Sequence, residues 1–332
     1  MLTWKDLKMQ PPKQPTIFLG NPPWLTAGSI HMIWGETGIG KSFVSTALAI
    51  GLAAGVPVLG FACPAPRRVL YVDGEMSRAM LYKRISWLIK GFGLTPEQAE
   101  RVEVNLGLYD LTIIRENGGL NLTLVRDQKK ITRDADSHGE DGSDVVFLDN
   151  LSALAQVEDD NAASSWNPMV PWLTAEREIG RALILIHHAG KDPRRQRGTS
   201  RREDLLDTSI GLIRPRARKG DRDEEDEAEL PEGARSSAVF WYWKKTRDFP
   251  KPDPFQINIE TDKLREWAQV TAGVEPEVAR AEQEQRIHQA VEAVRDRVKQ
   301  GLKPDFRGVA EEFAVNYSTL TRRYKQAYPH ET

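Results

Sequence analysis

Cysteine is nearly absent from this 332-residue chain: Cys63 is the single one. That excludes an internal disulfide framework and a thiolate metal cluster, and it fits a reducing cytoplasm. A bias toward one charge is lacking too. Lys and Arg number 46 against 48 Asp and Glu, a formal net charge of −2, so bulk charge neither requires nor forbids a polyanionic partner. The opening MLTWKDLKMQPPKQP has no unbroken apolar run, which speaks against export and for a cytoplasmic protein. One segment, Phe43 to Cys63, is apolar for about the length of a membrane span. Gly51, Gly55, Pro57 and Gly60 interrupt it, so a buried helix followed by a turn accounts for it and no membrane partner is expected. No internal repeat is present. With 40% hydrophobic residues, the chain can bury an α/β core of ~200 to 250 residues and carry a smaller appendage.

What is present begins with GETGIGKS, residues 35 to 42. An apolar stretch, Ser29 to Trp34, precedes it and a helical one, Phe43 to Ala53, follows. Strand, glycine loop and helix is the context a phosphate-binding loop requires. Gly35, Gly38 and Gly40 let the backbone turn its N–H groups inward, with Glu36, Thr37 and Ile39 between them. The helix start at Lys41, Ser42 and Phe43 adds partial positive charge. Lys41 then reaches terminal phosphates and Ser42 holds Mg²⁺, the pattern of an ATP site.

The organisation along the chain is α/β. Residues 1 to 28 are Pro-rich and read as a lead-in arm, with Trp4 and Trp24 as packing anchors. Arg67 to Asp73 reads as a core strand and Ser77 to Phe92 as a helix. Residues 100 to 114 carry an alternating apolar segment, and 115 to 142 is too polar for a core element. Asp144 to Leu148 and Ala182 to Ile186 are further strands, joined by a crossover helix over Pro168 to Ile179. Thr208 to Ile213 and Val239 to Trp243 complete the strands, linked by the acidic run Asp221 to Glu232, read as a solvated hairpin loop. Such alternation predicts a mostly parallel sheet with helices on both faces and ligand at the carboxyl ends of the strands. Composition changes near residue 272. The expected division is an arm over 1–28, a nucleotide-binding domain over 29–272 and a small all-α domain over 273–332. In the last, Pro276 to Lys299 is one long helix with Ile287, Val291 and Val294 as its stripe, and 306–328 resembles two helices about a tight turn. There Ala310 marks the crossing, Val315 is apolar in the turn, Ser318 caps and Leu320 anchors.

Nucleotide hydrolysis needs a carboxylate for the metal's water shell and a base that orients water. Asp149 closes the strand VVFL and is assigned to the shell, with Asn150 beside it. Glu75, just past the strand in VDGEMS, is the candidate base; Asp73 is its rival, and capping of the next helix is the alternative for either acid. His187 and His188 end a strand and point to opposite faces. One of them is either a sensor of the terminal phosphate or a packing residue.

GETGIGKS, VLYVDGEMS, VVFLDNLSAL, LILIHHAGK and RGTS, in this order, resemble the RecA-type ATPases, and among them the RepA-like hexameric replicative helicases of plasmids and mobile elements. The similarity covers about residues 15 to 265. It implies a RecA-like P-loop NTPase core, a hexameric ring, ATP hydrolysis with Mg²⁺ at subunit interfaces and movement on single-stranded DNA. It also implies roles: Glu75 as catalytic glutamate, Asp149 as metal-shell aspartate acting through water, His188 as the strand-end histidine and Arg197 as an arginine finger entering a neighbour's site. Lys245 and Arg247 match interface cations more loosely.

The basic loop Lys191 to Arg202 then has a task, reaching an adjoining phosphate or lining a channel for one strand. The loop after Asp149, with VEDDN, is acidic, and few aromatics interleave with the basic residues. Arg322, Arg323 and Lys325 on the last helix suit contact with duplex DNA, or the module binds a replication partner. The expected activity is that of an ATP-dependent DNA helicase. The rivals are a DNA-binding regulator with ATP as assembly switch and a recombination mediator.

Overall fold

The apolar runs around the phosphate loop are strands buried on both faces. The computed structural model describes residues 3–9, 13–155, 166–189, 201–214, 234–273, 276–300, 303–312 and 317–328. Every residue of Ile30–Gly35, Val69–Asp73 and Val145–Asp149 is buried. Strands covered on both sides need no polar alternation, which is why they read as unbroken apolar segments.

A short helix α1 (Trp4–Met9) precedes an antiparallel pair, β1 (Ile17–Leu19) and β2 (Leu25–Thr26). β3 (Ile30–Gly35) enters the glycine loop and leads to α2 (Lys41–Ala54), β4 (Val69–Asp73) and α3 (Arg78–Phe92). Ser77 caps α3 by accepting from the Met80 amide, and left-handed Gly93 ends it. Thr95 and Gln98 form a capping box on α4 (Pro96–Asn105). β5 (Leu106–Tyr109), α5 (Leu111–Glu116), α6 (Val125–Asp136), β6 (Val145–Asp149), α7 (Leu151–Leu154), α8 (Val170–Glu178) and β7 (Ala182–His188) follow. Then come α9 (Arg201–Leu205), β8 (Thr208–Ile213), β9 (Ala234–Thr246), β10 (Phe255–Asp262) and β11 (Trp267–Ala272).

Nine strands form one sheet in the order β11-β10-β9-β8-β3-β7-β6-β4-β5. From β8 to β5 all neighbours are parallel, and β9, β10 and β11 extend the sheet antiparallel. Alternation along β3 sends Ile33 into an apolar cluster with α2, α3 and β9 to β11, whereas Met32 and Trp34 join the cluster with α6 and α8 on the other face. This is a RecA-like P-loop NTPase core, a mostly parallel sheet with helices on both faces. No helix among the described residues is long and apolar enough to cross a membrane.

Three expectations change. Residues 17 to 26 are no separate arm: Trp24 is buried, its ring 5.1 Å from His31, 5.5 Å from Phe61 and 5.6 Å from Trp241. The stretch 115–142, read as too polar for a core element, holds α6, which buries Ile131 and Ala135 behind Leu120 and Leu122. A helix that buries one narrow stripe needs few apolar residues. The segment 100–114 is no single alternating strand but the end of α4, the edge strand β5 and the start of α5. β10 and β11 were not foreseen. The acidic run between β8 and β9, and VEDDN after Asp149, lie outside the described residues.

Burial gives His31 a predictable role in stability. Its Nε2 lies 2.6 Å from Ser29 Oγ, which itself donates to the Thr26 carbonyl at 2.5 Å. Nε2 therefore carries the proton and donates, leaving a neutral ring. Burial, only partly opposed by the Asp207 charge, pushes the His31 pKa from 6.5 down to about 3. Between those values the unfolded chain binds a proton that the folded chain refuses, so this contribution to stability falls as pH drops through 6.5 toward 3. His31→Gln removes it. The melting temperature of wild type relative to this variant should decline between pH 7 and 4.5; a constant difference would contradict the assignment.

The described residues divide into two compact units, Met1–Gly273 and Val274–Thr332. In the second, α10 (Pro276–Lys299), α11 (Phe306–Glu312) and α12 (Tyr317–Ala327) close over Ala290, Val291, Val294, Val309, Leu320 and Tyr324. Arg323 and Lys325 are exposed on α12. The side chains of Ile287, Ala310, Ser318 and Arg322, and all of Val315, lie outside the described residues.

Candidate nucleotide site

The glycine loop leaves the carboxyl end of β3 where the backbone of β8 comes closest. A Cβ on Gly35 would lie 2.8 Å from the Leu212 carbonyl oxygen, so a side chain there forces the strands apart. Gly40 begins α2 at φ 101, and a Cβ on it would meet Ile259 Cδ1 at 2.3 Å. No side chain caps α2 and no acid stands in its first turn. Its leading N–H groups are thus free of competing acceptors from side chains, as an anion site at a helix start requires.

Lys41 is buried beneath this loop. Its Nζ donates to the carbonyls of Gly35 at 3.0 Å and Glu36 at 2.8 Å and lies 3.3 Å from His188 Nδ1. Burial pushes its pKa down, and the charges of Asp149, Glu75 and Glu36 work against that shift. Lys41→Ala removes the lysine inside the cradle and should lower ATP turnover by roughly 10²- to 10³-fold, the scale for one preorganised electrostatic donor. Phosphate release from purified protein measures this, and turnover at the wild-type rate would remove Lys41 from the site.

Parallel pairing of β4 with β6 sets Asp73 level with Asp149. The two acids differ. Asp73 is 1% exposed, and its Oδ1 accepts from the amides of Glu75 at 2.8 Å and Met76 at 2.6 Å. Burial pushes its pKa up to about 6. Asp73 therefore shapes the VDGEMS turn. Gly74 in that turn donates to the Asp149 carbonyl at 2.7 Å, and a Cβ there would lie 2.8 Å from Leu154 Cδ2. The turn delivers Glu75, whose side chain is 53% exposed and whose Oε1 stands 3.7 Å from His188 Nε2. The neighbouring His188 pulls the Glu75 pKa down against its partial burial, with Asn150 adding to the effect.

His188 ends β7 level with Gly35. Its Nδ1 lies 3.3 Å from Thr37 Oγ1, and its Nε2 is 3.0 Å from Asn150 Nδ2. Asn150 also caps α7, its Oδ1 accepting from the Ala153 amide at 3.1 Å. The ring thus connects the phosphate loop to the strand-end acids. His187 is buried on the other side of the strand. Asp149 is 3% exposed; burial raises its pKa, while hydrogen bonds from Tyr71 and Ser42 counter the rise. Phe43 lies beneath Arg84, whose guanidinium is 4.4 Å from the ring centroid.

Hydroxyl and carboxylate oxygens at Ser42 and Asp149, beside an uncapped helix start, form a hard donor set that suits Mg²⁺ bound chiefly through phosphate and water. No cluster of three or more His, Cys, Asp or Glu that could hold a metal exists among the described residues. An Mg²⁺ ion held there would neutralise charge on the transferring phosphoryl group.

Two of the expected cations stand elsewhere. Lys245 donates to the Glu203 carbonyl, and Arg247 pairs with Asp207 at 3.0 Å and donates to the Asp204 carbonyl at 2.6 Å. Asp207 in turn accepts from the Ile30 amide, at the start of β3. Lys245 and Arg247 therefore lie toward the amino ends of the strands, away from their own phosphate loop. Arg197 is outside the described residues. Tyr71 and Ser45, which surround Asp149, were missed. The available signal was period two: Tyr71 precedes Asp73 by two residues on β4 and shares its face.

A family model described as an AAA domain matches residues 2–194, more than half of the chain, and the chain belongs to that family. Family and sheet together make it a nucleotide-binding, RecA-like ATPase. No curated protein matches it. Among solved structures, a KaiC-like protein of the archaeon Pyrococcus horikoshii OT3 is 14% identical over 78% of this chain and 98% of its own, with a TM-score of 0.47. The flagellar accessory protein FlaH of Methanocaldococcus jannaschii is 14% identical over 75% of this chain and 90% of its own, with a TM-score of 0.44.

Proposed function

We propose that this ATPase is a ring-forming motor on single-stranded DNA, a helicase of the RepA-like hexameric type that serves replication of a plasmid, phage or integrated element. In this reading Lys41 and the loop amides grip the triphosphate, Ser42 and Asp149 hold Mg²⁺, the latter through water, and Glu75 orients the attacking water. His188 sits between the loop and Glu75 and is suited to respond when the terminal phosphate leaves. Arg197, Lys245 and Arg247 act on a neighbour's nucleotide.

The observation that carries the proposal is the division of charge between the two ends of one sheet. The cradle and Glu75 occupy the carboxyl ends, whereas Lys245 and Arg247 occupy the amino ends, held by Glu203, Asp204 and Asp207. One copy cannot bring its own amino-end cations to its own phosphates. Head-to-tail packing brings the end of one copy against the opposite end of the next, and such heterologous interfaces form rings when the rotation between copies closes. The exposed Arg323 and Lys325 support duplex DNA or a replication partner as the ligand of 306–328.

Strand separation tests the motor. A forked duplex with a single-stranded tail should be unwound in an ATP-dependent manner, and averaged electron-microscope images with a nucleotide analogue should show a closed six-fold particle. Slow, DNA-insensitive turnover with tight binding to one duplex site would replace the motor with an ATP-switched regulator. Protein exchange on single strands without unwinding would replace it with a recombination mediator.

A further inference from the structure

Resting on the assignment of Asp149 to the Mg²⁺ shell, we propose that Tyr71 is a positioning residue for that metal: its hydroxyl and Ser45 orient the Asp149 carboxylate. Tyr71 is 1% exposed in the middle of β4. Its hydroxyl donates to Asp149 Oδ2 at 2.6 Å, within the range of a charge-assisted O–H···O bond. Ser45 Oγ, one turn into α2 from the phosphate loop, is 2.8 Å from the Tyr71 hydroxyl and 3.5 Å from the same Oδ2. Because the Tyr71 proton goes to the carboxylate, Ser45 is the donor to Tyr71. Thr46 Oγ1, at 3.4 Å, completes the surroundings of the hydroxyl.

The ring beneath this hydroxyl is fixed. Tyr71 stacks on Phe147 with centroids 5.5 Å apart and planes at 23°. Phe147 precedes Asp149 by two residues on β6, opposite Tyr71 in the register. Three elements thereby converge on one oxygen: α2 through Ser45, β4 through Tyr71 and β6 through Asp149 itself. With Oδ2 held by Tyr71, the carboxylate is fixed in one rotation, from which it would hold the water shell of a bound metal. A buried carboxylate with no such donor has no reason to prefer one rotation, and outer-shell hydrogen bonds of this kind set metal affinity in other sites.

Tyr71→Phe removes one oxygen and keeps the ring and its stack. The full chain is saturated with ADP, and free Mn²⁺ is titrated by its paramagnetic resonance signal. The variant should bind Mn²⁺ about tenfold more weakly, the lower end of the range for lost outer-shell partners. ADP affinity in chelator should stay at the wild-type value. Ser45→Ala should weaken Mn²⁺ in the same direction, and it carries the test if Tyr71→Phe fails to fold. Asp149→Asn separates the two layers of the argument. If it weakens Mn²⁺ while Tyr71→Phe and Ser45→Ala leave it at the wild-type value, Tyr71 is a packing residue and the proposal falls. If Asp149→Asn also leaves Mn²⁺ binding intact, the metal assignment itself is wrong.

Discussion

Arg197→Ala is expected to lower ATP turnover about 10³- to 10⁵-fold, the range for an arginine finger, with nucleotide affinity nearly unchanged. In the proposed ring the cradle that binds the triphosphate would belong to one copy and the guanidinium to the next, so removing it should leave the ground-state grip intact. The stronger test is complementation. Glu75→Gln copies retain the finger, and Arg197→Ala copies retain the water-orienting acid. In a ring mixed at random in equal parts, about a quarter of the interfaces join an intact Glu75 to an intact Arg197, as a heterologous contact dictates. Phosphate release should rise from near zero to a sizeable fraction of the wild-type rate on mixing. No recovery at any ratio would mean that hydrolysis does not cross an interface.

Glu75→Gln alone should lower turnover by roughly 10²- to 10⁴-fold, the scale for a lost general base. ATP binding should persist, because Glu75 touches the loop only through His188. The pH dependence distinguishes Glu75 from its rival. The neighbouring His188 depresses the Glu75 pKa, so its base form stays populated from pH 8 down into the acid range. Burial lifts Asp73 to about 6. With Glu75 as the base, the turnover of wild type has no acid limb near pH 6 from this pair of residues. A limb there that disappears in Asp73→Asn would transfer the role to Asp73. The amide hydrogen bonds from Glu75 and Met76 already occupy Asp73 Oδ1 and favour the first outcome.

Much of the site was legible because its parts are short and local. A glycine loop between a strand and a helix specifies a phosphate cradle wherever it occurs. An acid that closes an apolar strand sits at the strand's end by geometry alone, and Asp149 stands there, level with Asp73. The misses share a cause as well. α6 buries only a narrow stripe, and β10 buries alternate residues, so neither stands out by hydrophobicity. Trp24 was expected as a packing anchor, but not its partners: its ring fills the space between His31, Phe61 and Trp241. Partners at 7, 37 and 217 positions' remove leave no local trace.

By itself, then, the sequence determined the class of chemistry: which residues can cradle phosphate, hold a hard cation and orient water, since those capacities belong to residue types at fixed short spacings. Tertiary structure alone decided how the acids divide their work. Asp73 and Asp149 stand level on adjacent strands, and nothing along the chain distinguishes them in kind. Burial and hydrogen bonding do: amides claim Asp73, Tyr71 and Ser45 surround Asp149, and the VDGEMS turn carries Glu75 out to His188. Solvation and donor geometry depend on what the fold brings within a few ångströms, and most of those neighbours are far away in sequence.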